Sequence, residues 1–158
     1  MDSYTIRPIG FVHTERTEII DDFWGGTRSV IELANGVPAD SLDGIEAFSH
    51  VEVLFVFDRL QDADLTFGAR HPRGNPAWPK VGIFAQRAKA RPNRLGATMV
   101  KIIGRDGSRL TVEGLDAVDG TPVVDIKPVL TEFLPAGEVR QPSWTHELMR
   151  EYWARRHS

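Results

Sequence analysis

The sequence predicts a mainly β fold: a small barrel or closed mixed sheet with short helices and one C-terminal helix. Three observations lead there. Short runs rich in β-branched and aromatic residues recur along the chain, each bounded by Gly, Pro, Asn or Asp. Helical periodicity is convincing only in the tail. No strand runs through a Gly-rich turn into a long helix, as a doubly wound α/β fold requires. A length of 158 residues suits a single domain, and a hydrophobic fraction of 41% is enough for a core.

Tyr4 to His13 reads as an opening strand, with Pro8 and Gly10 suggesting an edge or a bend. Ser29 to Leu33 is a second strand, closed by the turn pair Asn35-Gly36. Pro38 to Leu42 suits one helical turn that ends at Gly44. His50 to Phe57 is the most hydrophobic segment, and its short, β-branched and aromatic character predicts a buried strand. A Pro/Gly-rich loop follows from Phe67 to Pro79. Lys80 to Ala85 is the next strand, and Ala97–Ile103 with Arg109–Val112 forms a hairpin turning at residues 104–108. Val123 to Ile126 is the last strand. The tail from Trp144 to His157 is helical by the spacing of Leu148 with Tyr152 and of Met149 with Trp153, with Ser143 or Thr145 as its cap.

Composition narrows the function classes. No apolar run approaches the ~20 residues of a membrane span, so no membrane partner is expected. Met1 to Tyr4 carries neither the basic start nor the apolar core of a secretory signal. With no cysteine in the chain, a cytoplasmic location is expected. Net charge is -3, yet Arg70 to Lys101 contains eight basic residues and no acid. Such a stretch is either a solvated face or an attractor for phosphate and nucleic acid backbone. The overall acidity speaks against indiscriminate DNA binding.

Several site types are absent from the sequence. There is no dinucleotide or P-loop fingerprint and no Gly-x-Ser-x-Gly elbow. The five histidines, at 13, 50, 71, 146 and 157, form no pair at ligand spacing, so no metal is expected.

Three segments are candidates for chemistry. In Gly44 to His50 a Ser-His pair leads into the apolar strand, although a histidine at a strand end is more often structural. In Phe84 to Gly96, Arg87 and Arg91 flank a loop turned by Pro92-Asn93, which suits capture of carboxylate or phosphate and equally suits a solvated loop. In Gly114 to Pro128, three aspartates fall within ten positions among apolar residues, and they cannot all be buried without partners. Asp119-Gly120-Thr121-Pro122 also reads simply as a tight turn.

Gly44 to Phe57 (GIEAFSHVEVLFVF), the loop with Arg87 and Arg91-Pro92-Asn93, and Leu115 to Pro128 (LDAVDGTPVVDIKP) together resemble the TrmO family, also called TsaA-like. The opening IGFVHTE matches too, so the likeness runs from about Ile9 to about Pro128. The resemblance implies a single-sheet β-barrel, a homodimer, and S-adenosyl-L-methionine as cofactor. It implies methylation of the exocyclic amine of threonylcarbamoyladenosine beside the tRNA anticodon. It assigns cofactor binding to His50, Val51, Arg87, Ala97, Gly114, Leu115, Asp116, Ala117 and Val118, with a weaker match at Gly26 to Arg28. It assigns substrate alignment or proton removal to Asp119, Arg91 and Asn93.

On this reading residues 1–140 form the barrel domain, and residues 141–158 form an amphipathic helix packed on it or on a dimer partner. Arg87 pairs with the methionine carboxylate. The chain departs from the family pattern in three ways. Arg94 stands where Pro is common, Ala88-Lys89-Ala90 replaces a Ser/Pro-containing loop, and the tail takes the place of the longer members' C-terminal domain. Two other readings therefore stand beside the first: a methyltransferase for another RNA or a small molecule, and a non-catalytic module that binds S-adenosyl-L-methionine.

Overall fold

The computed structural model describes residues 1–156. Six antiparallel strands close into one barrel in the order β1-β2-β7-β6-β3-β8. These are β1 (Gly10–His13), β2 (Arg28–Leu33), β3 (His50–Val56), β6 (Leu95–Asp106), β7 (Arg109–Glu113) and β8 (Pro122–Pro128). The remaining two, β4 (Ala69–Arg70) and β5 (Val81–Gly82), pair only with each other.

Alternation along the strands makes the core. In β3, Val51, Val53 and Phe55 point inward and are at most 1% exposed. They meet Ile31, Leu110 and Val112 from the facing strands. Each such side chain contributes ~1.5–3 kcal/mol by leaving water. β6 holds the barrel together because it is shared. Its first half pairs with β3 (Leu54 opposite Ala97) and its second half with β7 (Lys101 opposite Glu113). A register shift between Ile102 and Gly104 bends it between the two. Gly96 lets the Phe55 ring lie against β6, since a Cβ there would sit 2.5 Å from two ring carbons.

Five elements differ from the sequence expectations, the tail among them. The opening strand begins at Gly10 instead of Tyr4, because residues before Pro8 have no partner strand and Pro8 lacks an N–H. Lys80 to Ala85 is not a barrel strand. The closed barrel has no free edge to offer, so only Val81–Gly82 pairs, and Ile83–Ala85 curls into a 3-10 turn. The hairpin strand runs on to Asp106 and turns at Gly107, where φ is +59°. Gly44 opens a second 3-10 turn, Ile45–Ala47, instead of closing the first.

The tail differs most. Its helix, α1, covers only Ser143–Leu148 and has Pro142 at its N-cap with no side-chain cap. Thr145 Oγ1 donates to the Pro142 carbonyl (2.6 Å). Beyond Met149 the carbonyls of Glu151, Tyr152 and Ala154 accept from the N–H groups of Phe23, Trp24 and Gly25, which takes the chain out of the helix. His157, the expected end of the helix, lies outside the described residues.

Candidate functional site

The candidate cofactor residues fall into one tight group and one separate position. β7 ends at Glu113, and Gly114, at φ +92°, redirects the chain in a conformation that suits glycine. Its N–H donates to the Thr27 carbonyl (2.9 Å), tying the loop to the residue before β2. The chain then runs back along the first half of β6. Leu115 and Ala117 are buried, and Asp116 turns its carboxylate toward Thr98, whose Oγ1 donates to Oδ1 (2.5 Å). The Tyr152 hydroxyl donates to the other carboxylate oxygen, Oδ2. Arg87 Nη2 donates to the Ala97 carbonyl next door (2.6 Å), and its charge reaches the Tyr152 phenol. Arg87, Ala97, Thr98, Asp116 and Tyr152 therefore form one cluster. Val118 closes the loop, its carbonyl accepting from Thr121 Oγ1 (2.7 Å).

His50 lies elsewhere. It pairs with Lys101, four residues along β6 from Ala97, which is ~13 Å of strand. Its exposed ring contacts Ser49 Oγ through Nδ1 (2.6 Å), while Val51 is wholly inside the barrel.

The three residues assigned to the substrate are not assembled with one another. Asp119 sits where β8 approaches β1. Its Oδ1 accepts from the Thr14 N–H (3.1 Å), its own N–H donates to the Arg16 carbonyl (2.7 Å), and its carbonyl accepts from Arg59 (3.0 Å). Arg91 is turned back onto its own loop, donating to the Gln86 and Ala88 carbonyls (2.8 and 3.2 Å). Asn93 is exposed beside it.

The basic stretch looks different once folded. Arg73 pairs with Asp22 (3.0 Å) and Lys89 with Asp21 (3.5 Å), while Arg94 pairs with Asp62. Acids distant in sequence thus pair with three of the eight cations of a surplus that appears continuous along the chain. Among the described residues, Arg87 has no carboxylate partner, and its one hydrogen bond to the Ala97 carbonyl leaves further nitrogen donors unused.

A second concentration of cations lies beside Asp119. A groove of about 640 Å³ is lined by His13, Arg16, Arg28, Arg155 and Arg156, with Glu15 as its acid. Arg16 stacks on Trp24 (3.9 Å to the ring centroid) and donates to the Phe23 carbonyl (2.6 Å). Partial burial pushes its pKa down, as does nearby Arg156, while Glu18 pushes it up.

Tyr152, Thr98, Arg59 and Arg16 carry no local motif. Their importance comes from where the fold brings them, so no sequence signal marked them. Burial pushes the Tyr152 phenol well above its ordinary value, and so do the charge of and hydrogen bond to Asp116. Arg87 and Arg73 act weakly the other way.

The chain is thus a single-sheet antiparallel barrel that carries at its loops a carboxylate held by Thr98 and Tyr152 and, near it, the Arg87 guanidinium. The particular family follows from comparison. Residues 16–133 match the tRNA-methyltransferase O N-terminal domain, and the chain belongs to that family. Among curated proteins it is similar to the tRNA (adenine(37)-N6)-methyltransferase of Escherichia coli, 43% identical over 61% of this chain and 43% of that protein. The mouse protein of the same name is 41% identical over 68% of this chain and 25% of its own length. A probable S-adenosyl-L-methionine-binding protein of Pyrococcus abyssi is 35% identical over 80% of this chain and 68% of its own. The crystal structure of TrmO from Pseudomonas aeruginosa superposes with a TM-score of 0.73 at 29% identity, covering 91% of this chain and 62% of that one. The chain thus spans about a quarter of the mouse relative and less than half of the bacterial one.

Proposed function

We propose that this chain binds S-adenosyl-L-methionine and methylates the exocyclic amine of threonylcarbamoyladenosine next to the tRNA anticodon. The observation that carries the reading is the cluster of Arg87, Ala97 and Asp116. It brings the Arg87 loop and the start of β6 against the Gly114–Val118 loop and offers groups of opposite charge. A ligand bearing both a carboxylate and an ammonium, with ribose hydroxyls, fits that donor set: Arg87 for the carboxylate, and Asp116 for hydroxyl or ammonium donors. Gly114 to Val118 contribute main-chain groups, since the Leu115 and Ala117 side chains lie in the barrel core, whereas His50 and Val51 at the start of β3 stand apart from this cluster. S-adenosyl-L-methionine supplies, when bound, an electrophilic methyl group on sulfur.

The chain's own residues align the acceptor and manage its proton. Orientation alone contributes much of the rate, ~7 kcal/mol or more. Asp119 is anchored through its backbone and Oδ1, which leaves Oδ2 to receive the amine proton or hold the amine in line. Arg91 stiffens the loop that carries Asn93, and Asn93 contacts the substrate base. The groove with Arg16, Arg28, Arg155 and Arg156 supports an RNA acceptor, because closely spaced guanidiniums attract phosphodiesters.

Residues 1–140 act as the barrel domain, with the segment from 141 packed on it through Phe23, Trp24 and Gly25. The protein works as a cytoplasmic homodimer, a reading favoured by exposed Leu95 and Met99 on one face of β6 and by exposed Phe84. Transfer of labelled methyl groups to tRNA that carries threonylcarbamoyladenosine tests the activity. Incorporation that depends on the modified base and is lost in Asp119→Asn supports it. Asp119→Asn with undiminished transfer removes the proton role, and transfer to no RNA returns the protein to a cofactor-binding module.

A further inference from the structure

The tail after α1 is bound more tightly to the site than a loose appendage would be. Three consecutive N–H groups, those of Phe23, Trp24 and Gly25, donate to the carbonyls of Glu151 (3.0 Å), Tyr152 (2.8 Å) and Ala154 (3.3 Å). The approach is so close that a Cβ on Gly25 would lie 2.0 Å from the Trp153 carbonyl oxygen. Phe23 holds a φ of +68°, which a bulky side chain adopts only where its surroundings enforce it. Here Glu151 takes its N–H, and its carbonyl receives the Arg16 guanidinium.

This docking fixes the Tyr152 ring, which packs edge-on against Trp153 (4.9 Å between centroids). Its hydroxyl is thereby delivered to one oxygen of Asp116, while Thr98 holds the other. A carboxylate bound at both oxygens cannot rotate, and its remaining lone pairs point in set directions. Outer groups that orient a ligand-binding residue in this way govern affinity without touching the ligand.

We propose that Tyr152 is a positioning residue of the cofactor site, acting through Asp116, so that the C-terminal tail is part of that site. The inference rests on the reading that Gly114 to Val118 binds S-adenosyl-L-methionine. Coupling between tail docking and cofactor binding is reciprocal: a docked tail raises affinity, and bound cofactor holds the tail down.

The test compares the full chain with Tyr152→Phe, which removes one oxygen. Two readouts are taken: affinity for S-adenosyl-L-methionine by calorimetry, and hydrogen exchange at the amides of Phe23, Trp24 and Gly25 with and without cofactor. The expected results are a loss of affinity of about ten-fold or more in the variant, and cofactor-induced slowing of those three amides in the wild type alone. A Tyr whose role was merely structural would leave the cofactor's effect on the amides unchanged.

Equal affinity in the two proteins overturns the inference while leaving the cofactor reading intact. A wild type that binds no cofactor overturns both. If Tyr152→Phe releases the tail outright, Thr98→Val tests the same positioning from the other oxygen with the tail contacts kept. Weakened binding there supports the control of Asp116 orientation, and unchanged binding refutes it.

Discussion

Alkaline pH acts on the tail through Tyr152. Burial and the Asp116 carboxylate hold its phenol protonated in the folded protein, while in the unfolded chain it ionises near its ordinary value of about 10. The folded value is the higher one, so the stabilisation is complete below about pH 10 and is lost as pH rises beyond it. In that window the folded state binds one more proton than the unfolded state, and stability falls by about 1.4 kcal/mol per pH unit. Where the tail opens locally with the barrel still folded, the same slope applies to its docking equilibrium. The chain has two tyrosines, so Tyr4→Phe leaves Tyr152 as the sole absorbing phenol. Ultraviolet titration of that variant is expected to show tyrosinate only at pH values well above 10, together with faster exchange at the Trp24 amide. Tyr152→Phe removes the part of that acceleration that exceeds the intrinsic base catalysis of amide exchange. A reversible Tyr152 titration centred near 10 with the tail still docked would refute the burial and the Asp116 contact together.

Other perturbations test the barrel and its loops. Gly96→Ala drives a methyl group to 2.5 Å from the Phe55 ring, against ~3.5–4.0 Å for normal carbon contact, in a core where Phe55 is 1% exposed. Overpacking of this kind costs ~1–3 kcal/mol, and calorimetric melting is expected to show partial recovery when Phe55→Leu is added. Arg94→Pro is expected to lower the melting temperature sharply, because Arg94 has φ +53° and donates its N–H to the Arg91 carbonyl (3.0 Å), and proline can do neither. Arg94→Gly, which accepts that φ, is expected to be much milder despite losing the Asp62 pair.

The barrel was legible because its cause is local. Val51, Val53 and Phe55 announce a buried strand by type and alternation, and Asn35-Gly36 and Gly107 mark turns by their conformational freedom. The run at Val81 to Ala85 has the same local character but no strand to pair with, which only the closed order of the sheet reveals. The charge of Arg70 to Lys101 is partly balanced for a related reason. Asp21, Asp22 and Asp62 come from outside the stretch and meet it only in the fold. Helical spacing in the tail was outweighed by three backbone bonds to Phe23, Trp24 and Gly25. Arg87, Ala97 and Asp116 were singled out through family motifs, and the fold brings them together. Tyr152 and Thr98, which orient Asp116, had no motif to mark them.

Arg94 illustrates how a family departure acquires physical meaning. Its left-handed backbone is closed to proline, so the loop carrying Arg91 and Asn93 takes a path here that a proline at this position would not permit. Substrate discrimination is expected to differ from that of relatives with Pro at this point, and competition between modified and unmodified anticodon-loop RNAs measures it.

The most direct test of the central claim is calorimetric titration of the purified chain with S-adenosyl-L-methionine, wild type against Arg87→Ala. Binding in the micromolar range is expected, weakening by about ten- to a hundred-fold once the guanidinium is gone. No binding by the wild type, or equal binding by both proteins, would contradict that claim.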